Sequence, residues 1–322
     1  MRAQRPSAIQ AISIPSFLLR PPMQHLRFLH YIDAVARCGS IRAAAEQLHV
    51  AASAVNRRVQ DLEYELGTPI FERLPRGVRL TAAGELFVAY ARRRNADLEQ
   101  VQSQIQDLSG MKRGRVTLAA SQALAPEFLP RVIHAFQAQR PGIAFDVKVL
   151  DRERAVLAVT DFAADLALVF NPPDLRGLTV IAQARQRICA VVASDHPLAK
   201  RTSLRLKDCL DYPLALPDSS LSGRNVLDEL FDKSSARPRP QLVSNSYEMM
   251  RGFARETGGV SFQIEIGAGS TEGEVAIPID ERSLASGRVV LVALRERVLP
   301  VASAAFAEFV AGKLADTTHN AT

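Results

Sequence analysis

The 322-residue chain predicts an all-α winged helix-turn-helix head on a long linker helix, followed by an α/β domain. Three observations predict it. Two short runs of helical periodicity meet at a tight break within residues 39–63, and a Pro/Gly hairpin follows them. A heptad-like seam runs through residues 82–109. Beyond Gly114, strand and helix patterns alternate to residue 314, which implies parallel sheets covered by helices.

In the first run Ser40 is placed to N-cap a helix, and Ile41, Ala44, Ala45 and Leu48 recur on one face. Ala44 and Ala45 are small enough for a second helix to cross closely there. Val50 sits in the turn and plugs the corner. Val55, Val59 and Leu62 form the inward face of the second helix, whereas Asn56, Arg57, Arg58 and Gln60 point outward. Such side chains reach base edges and phosphates when the second helix is presented to a major groove. The alternative is an ordinary helical hairpin with a solvated basic face. Gly67 ends the second helix, and residues 74–81 read as a hairpin carrying Arg76 and Arg79, with Arg73 just before it. A basic hairpin in this place is a wing that touches the flanking backbone or minor groove. Thr81 then caps a new helix, with Glu85 in its first turn.

Phe28, Gly39-Ser40, Ala43-Ala44, Leu48-His49-Val50, Ala54-Val55, Arg57, Leu62-Glu63, Glu65-Leu66-Gly67, Leu74-Pro75-Arg76 and Leu80-Thr81-Ala83-Gly84 stand at distinctive spacings. Through them residues 23–81 resemble the DNA-binding domain of the LysR-type transcriptional regulators. Where that family often opens its recognition helix with Ser-Gln-Pro, this chain has Ala51-Ala52-Ser53. Ser53 is therefore the candidate cap, and Asn56 stands at a usual serine. The candidate DNA contacts are Ser40, Arg42, Ser53, Asn56, Arg57, Arg58, Gln60, Arg73, Arg76 and Arg79.

From residue 82 the apolar positions Phe87, Ala91, Leu98, Val101, Ile105 and Leu108 alternate by fours and threes, broken at Arg94. A lone amphipathic helix of this kind packs on its own domain or on the same helix of a second copy. The resemblance implies the second, with Phe87, Leu98, Val101, Ile105 and Leu108 as the dimer seam. Two recognition helices on one face then match a palindromic site.

The alternation after Gly114 places strands at 115–120, 144–149, 166–170, 188–193, 213–216, near 241, and at 258–262 and 289–294. Helices fall at 126–139, 152–160, 223–231, 247–256 and 301–314. The resemblance implies two lobes of periplasmic-binding-protein type with a ligand cleft between them and two crossover strands as hinge. In open sheets ligands sit beyond the carboxyl ends of strands, near helix N-termini. That criterion nominates Ser121, Gln122, Phe170, Asn171, Ser219, Ser220, Ser244 and Ser246. Family members use the positions of Ser121 and Ser244 for effector contact. Each nominee alone also reads as a cap or turn; together they point to a small organic anion or carboxylate.

The expected domains are a disordered extension over 1–22, the head over 23–81, the linker over 82–111, and an effector domain over 112–315. Lobe one would be 114–186 plus 287–315, lobe two 187–286, and residues 316–322 a flexible tail. Met23 is an alternative start. Residues 1–22 carry three arginines; residues 23–115 carry 14 basic and 10 acidic groups; the rest carry 23 and 24. Basic charge thus collects where phosphates would be met. Three separated cysteines and six histidines without ligand spacing give no metal or disulfide framework. No catalytic residue, metal or cofactor is expected, and no enzyme signature is found. The implied partners are double-stranded DNA with a palindromic operator, a second copy in a homodimer and further a tetramer, a small organic effector and RNA polymerase. A cytoplasmic location and no membrane contact follow. Two other readings are a redox regulator using Cys189 and Cys209, and a transport-type solute-binding protein. The second would need a secretion signal and no helix-turn-helix.

Overall fold

The computed structural model describes residues 27–108, 113–172, 174–234, 237–269, 272–280 and 287–319. The extension expected over residues 1–22 and the end of the expected tail lie outside them. The chain divides into two compact units that part between Asn95 and Ala96.

The first unit contains α1 (Arg27–Cys38), α2 (Ile41–Gln47), α3 (Ala52–Leu66), a hairpin of β1 (Phe71–Leu74) and β2 (Gly77–Leu80), and the first part of α4 (Ala82–Leu108). Its core joins Ile32, Val35, Ala44, Ala45, Val55, Val59 and Ile70. The Ser40 hydroxyl accepts a hydrogen bond from the Ala43 N–H at 3.3 Å, which caps α2. α3 differs from expectation. Its N-cap is Ala51, no side chain caps it, and Ser53 lies inside the first turn. Gly67 closes α3 in the left-handed conformation, φ 65°. The hairpin pairs Phe71 with Leu80 through Leu74 with Gly77, so Pro75 and Arg76 make its turn. Gly77 has φ 97°, and a Cβ there would run into the Gly39 carbonyl. That carbonyl accepts from the Val78 N–H at 2.8 Å, pinning the hairpin to the turn before α2.

The second unit holds the rest of α4 and two five-stranded sheets, one per lobe. Lobe one orders its strands β4-β3-β5-β12-β6, with β3 (Gly114–Ser121), β4 (Ile143–Leu150), β5 (Leu166–Phe170), β6 (Leu178–Gln186) and β12 (Gly287–Leu294). Helices α5 (Phe128–Gln139) and α11 (Val301–His319) pack together, and α6 (Arg152–Thr160) packs on β5 and β3. Lobe two orders its strands β11-β7-β10-β8-β9, with β7 (Ile188–Ala193), β8 (Leu214–Pro217), β9 (Leu242–Ser244), β10 (Val260–Ile264) and β11 (Glu274–Pro278). Its helices are α7 (Leu206–Cys209), α8 (Ser222–Ser234), α9 (Tyr247–Thr257) and α10 (Glu265–Ala268).

The sheets are mixed, not purely parallel. β12 runs antiparallel to β5 and β6, and β7 antiparallel to β10 and β11. The reason is the double crossing between lobes. β6 passes into β7 through Arg187 alone, so each chain segment entering the other lobe runs back along its new sheet. Sequence periodicity misses β6 and β11. Both are edge strands with one polar or half-exposed face, and a bulge at Leu291/Val292 breaks the β6 pairing. At the end of the chain α11 runs to His319, so residues 316–319 are helical where a flexible tail is expected.

A buried ion pair fastens α11 to lobe one. Arg297 donates to Asp165 at 2.7 Å, the other Asp165 oxygen accepts from the Ser303 hydroxyl at 2.8 Å, and both ion-pair side chains are 7% exposed. Breaking such a pair leaves a buried charge uncompensated, at a cost of about 3–5 kcal/mol.

Candidate DNA interface and effector sites

The apolar stripe of α3 faces the core, which turns Ser53, Arg57, Arg58 and Gln60 to solvent. Not all the nominated DNA contacts are equally available. Asn56 is half-buried, and its side-chain oxygen accepts from the Arg73 guanidinium at 3.1 Å, tying α3 to the wing. Arg58 lies 3.7 Å from Asp61, and Arg42 donates to Glu46 at 3.2 Å. Arg79 sits directly opposite Glu72 in the hairpin register and pairs with it at 2.6 Å. The Ser40 hydroxyl is spent on its cap. Among the described residues, Arg57 on α3 and Arg76 in the wing turn are exposed cations with no carboxylate partner.

On α4 the expected seam divides. Phe87 packs against the head's own core, and Ala91 is fully buried. Phe87 thus gives part of its surface to the head's own core. Leu98 is half-buried, whereas Val101, Ile105 and Leu108 are 47%, 58% and 88% exposed. Leu86 and Tyr90, each one residue before the positions the heptad reading takes in the first half of the helix, are exposed as well. Apolar side chains this exposed on a long helix call for a covering surface.

The eight residues nominated for the effector fall into two groups, one on each lobe. In lobe one the Ser121 hydroxyl is buried and accepts from the Phe170 N–H at 3.2 Å, which joins the ends of β3 and β5. Phe170 is fully buried, its ring against Gly287. Asn171, at φ 48°, accepts from the Arg288 N–H at 2.8 Å through its side chain. In lobe two the Ser220 hydroxyl donates to Asp218 at 2.6 Å, and the Asp218 N–H donates to the Ser244 carbonyl at 3.0 Å. Ser246 caps α9, while Ser219 is exposed. Most of these polar groups are thus engaged in local turns and caps. Two amides are not. Gln122 keeps a buried oxygen, and Gln263 a buried amide nitrogen, without partners among the described residues. Gln263 is 2% exposed at the end of β10, and its one sequence signal is a polar residue in the apolar run 260–264.

The lobes touch beside these amides. A Cβ at Gly267 of α10 would run into the Ala123 carbonyl of lobe one and come 3.2 Å from the Gln263 amide carbon. Nearby, Arg251 of α9 lies 4.0 Å from Glu127 of lobe one and donates to Glu274 at 2.7 Å. A cavity of about 720 Å³ opens between α5 and α11 of lobe one and β7, α10 and β11 of lobe two. None of the eight nominated residues lines it.

The cysteines do not form a redox pair in this geometry. Cys189 on β7 packs with Val191 and Ala268, while Cys209 belongs to the core on the other face of that sheet, with Ile188, Ala190 and Val192. Burial, and secondarily the Glu265 carboxylate, push the Cys189 thiol up to about 12.

A winged helix-turn-helix with a basic outward face, followed by a two-lobed α/β domain, defines a ligand-responsive DNA-binding protein. Comparison with known proteins gives the family. The model of bacterial regulatory helix-turn-helix proteins of the lysR family matches residues 26–85, and that of the LysR substrate binding domain matches residues 109–315. The chain belongs to the LysR family of transcriptional regulators. It is 30% identical over 255 residues to the probable RuBisCO transcriptional regulator of Emiliania huxleyi, covering 77% of this chain and 81% of that one. It is 29% identical over 297 residues to the RuBisCO operon transcriptional regulator of Allochromatium vinosum, covering 90% and 96%. A full-length OxyR of Pseudomonas aeruginosa, with one cysteine replaced by aspartate, superposes with a TM-score of 0.66 at 21% identity, covering 90% and 95%. Full-length CbnR with its target DNA gives 0.61 at 21%, covering 90% and 99%. At these identities the two structures show the fold alone. Like its family, the protein is an effector-modulated regulator that binds operator DNA as an oligomer. No helix among the described residues is long and apolar enough to cross a membrane.

Proposed function

We propose that α3 enters the major groove with Arg57, Gln60 and Ser53 toward base edges, while Arg76 at the wing tip meets a phosphate of the flanking backbone. The observation that carries this is the pair of exposed arginines without carboxylate partners, Arg57 and Arg76, on a face whose other cations are engaged. Arg58, Arg42, Arg73 and Asn56 frame that face, and Arg79 is held back by Glu72. The exposed stripe Leu86, Tyr90, Val101, Ile105 and Leu108 joins two copies, with Leu98 at its margin, so that two recognition helices meet a palindromic operator. The small organic effector sits at the carboxyl ends of the strands, beside Ser121, Gln122, Ser219, Ser220, Ser244 and Ser246. Gln263 joins the set, because its amide nitrogen and the Gln122 oxygen await partners. Phe170 and Asn171 shape the floor from below. The protein performs no catalysis of its own and works in the cytoplasm, where its operator, a tetrameric assembly and RNA polymerase would be met.

The test is operator affinity of the purified Arg57→Ala protein, measured by fluorescence anisotropy at physiological salt. Loss of one base or phosphate contact is worth about 1–3 kcal/mol per half-site. The mutant should bind at least about tenfold more weakly while remaining oligomeric. Unchanged affinity would remove Arg57 from the interface.

A further inference from the structure

We propose that Ser103 of α4 is a positioning residue that joins this helix to lobe one, and that DNA binding and the state of lobe one influence each other through that joint. The Ser103 hydroxyl oxygen accepts a hydrogen bond from the Val301 N–H at 3.1 Å, although the two residues are 198 apart in sequence. Val301 is the first residue of α11. The first amides of a helix have no partner within it, and the residue before the helix commonly caps one with a side-chain oxygen. Here that residue is Pro300, whose carbonyl accepts from the Ala304 N–H at 2.9 Å. A proline side chain has no oxygen to offer, so the cap comes from another helix.

The division between the two compact units falls within α4, and Ser103 lies in the half that belongs with the effector domain. In that half Gln100, Ser103 and Gln106 follow at helical spacing and are half-buried. Val101, Ile105 and Leu108 are exposed on other sides of the helix. The joint and the apolar stripe are therefore separate faces, and Ser103 can be changed without touching the stripe.

On its other side the first turn of α11 is fixed to lobe one. The fully buried Ser303 hydroxyl donates to Asp165 at 2.8 Å, two residues beyond Val301. The Asp165 N–H in turn donates to the Thr117 carbonyl of β3 at 2.9 Å. Asp165 immediately precedes β5, a five-residue strand buried throughout, and at the far end of β5 the Phe170 N–H is held by Ser121. One packed strand thus separates the joint from the effector position proposed above, and only this last link rests on that position. The cluster also has reason to rearrange. Arg297 gives one nitrogen to Asp165, while its Nε and Nη1 are buried without partners among the described residues. A buried donor left unmet is unfavourable, so an arrangement that satisfies it competes with this one. Coupling requires two such arrangements, biased from the α4 side and from the β5 side, and it acts equally in both directions.

The test is hydrogen exchange, followed by mass spectrometry, of the full-length protein with and without duplex DNA from upstream of its own gene. Protection of α3 in the same spectra reports that DNA is bound. DNA that fixes α4 holds the Ser103 acceptor in place, so the amides of residues 302–304 should exchange about fivefold more slowly in the complex, the scale of one helix cap. Ser103→Ala removes the acceptor. Val301→Pro removes the donor at a position where proline suits a helix. In both variants DNA should still protect α3, while the response at residues 302–304 is lost, and the double variant should behave like either single one. Ser103→Thr, which retains the hydroxyl, should keep the response. The proposal is overturned if DNA leaves residues 302–304 of the native protein unchanged, or if the response persists in Ser103→Ala or in Val301→Pro. Neither result bears on the effector position, because no effector is present.

Discussion

At the scale of single residues, environment decides which of several like side chains acts. Arg57 and Arg79 look equivalent in the sequence, yet Glu72 faces Arg79 across the hairpin and nothing acidic pairs with Arg57 among the described residues. The same holds for the cysteines. A thiol at about 12 has on the order of one thiolate in ten thousand at pH 8, against about one in four for an ordinary thiol near 8.5. Cys189 should therefore resist iodoacetamide at pH 8 in the folded protein, followed by mass spectrometry. Modification of Cys189 within minutes without unfolding would contradict its burial. The sign of the pH effect follows. Between the ordinary thiol range and about 12 the folded state keeps a proton that the unfolded state has lost, so this thiol subtracts stability as pH rises through that window. Effector nominations were least legible at this scale. Ser121, Asn171 and Ser246 carry the right chemistry for binding, but the same chemistry serves strand ends and caps, and only the hydrogen-bond partners distinguish the uses.

At the scale of elements, legibility tracks how local the determining pattern is. The helices of the head, their Ser40 and Gly67 caps and the Pro75–Arg76 turn were readable because each depends on neighbours a few residues away. Strands β6 and β11 were not, since an edge strand carries half an apolar pattern. In the first half of α4 the seam also departs from the heptad rule: Phe87 packs on the head core and Ala91 is buried, while Leu86 and Tyr90 are exposed. Two predictions belong here. Arg76→Ala should weaken specific and non-specific DNA alike and flatten the dependence of log affinity on log salt by about one per half-site, and Arg79→Ala should do so less because Glu72 already neutralises it. A change in base preference at constant salt slope would mean that the wing reads sequence. In α4, Ile105→Asp would place a charge within an apolar seam and should dissociate the dimer. Light scattering that shows the native mass for this variant would mean another surface holds the copies together.

At the scale of the whole molecule, charge and topology assign the labour. Residues 1–115 carry 17 basic and 10 acidic groups, and the remainder is balanced at 23 and 24, so phosphate attraction is concentrated at the N-terminal end. The two-lobed plan was legible from alternation together with the family resemblance. The interlobe cavity and the Glu127–Arg251 contact were not, because their walls come from segments far apart in sequence. The central claim is that this chain reads DNA as a symmetric pair through α3. Footprinting of the native protein on the intergenic DNA upstream of its own gene tests it most directly. The account predicts protection of two half-sites related by a dyad, about one helical turn or a multiple apart, lost together in Arg57→Ala and Ile105→Asp. Protection of a single asymmetric segment, or the full footprint in both variants, would contradict it.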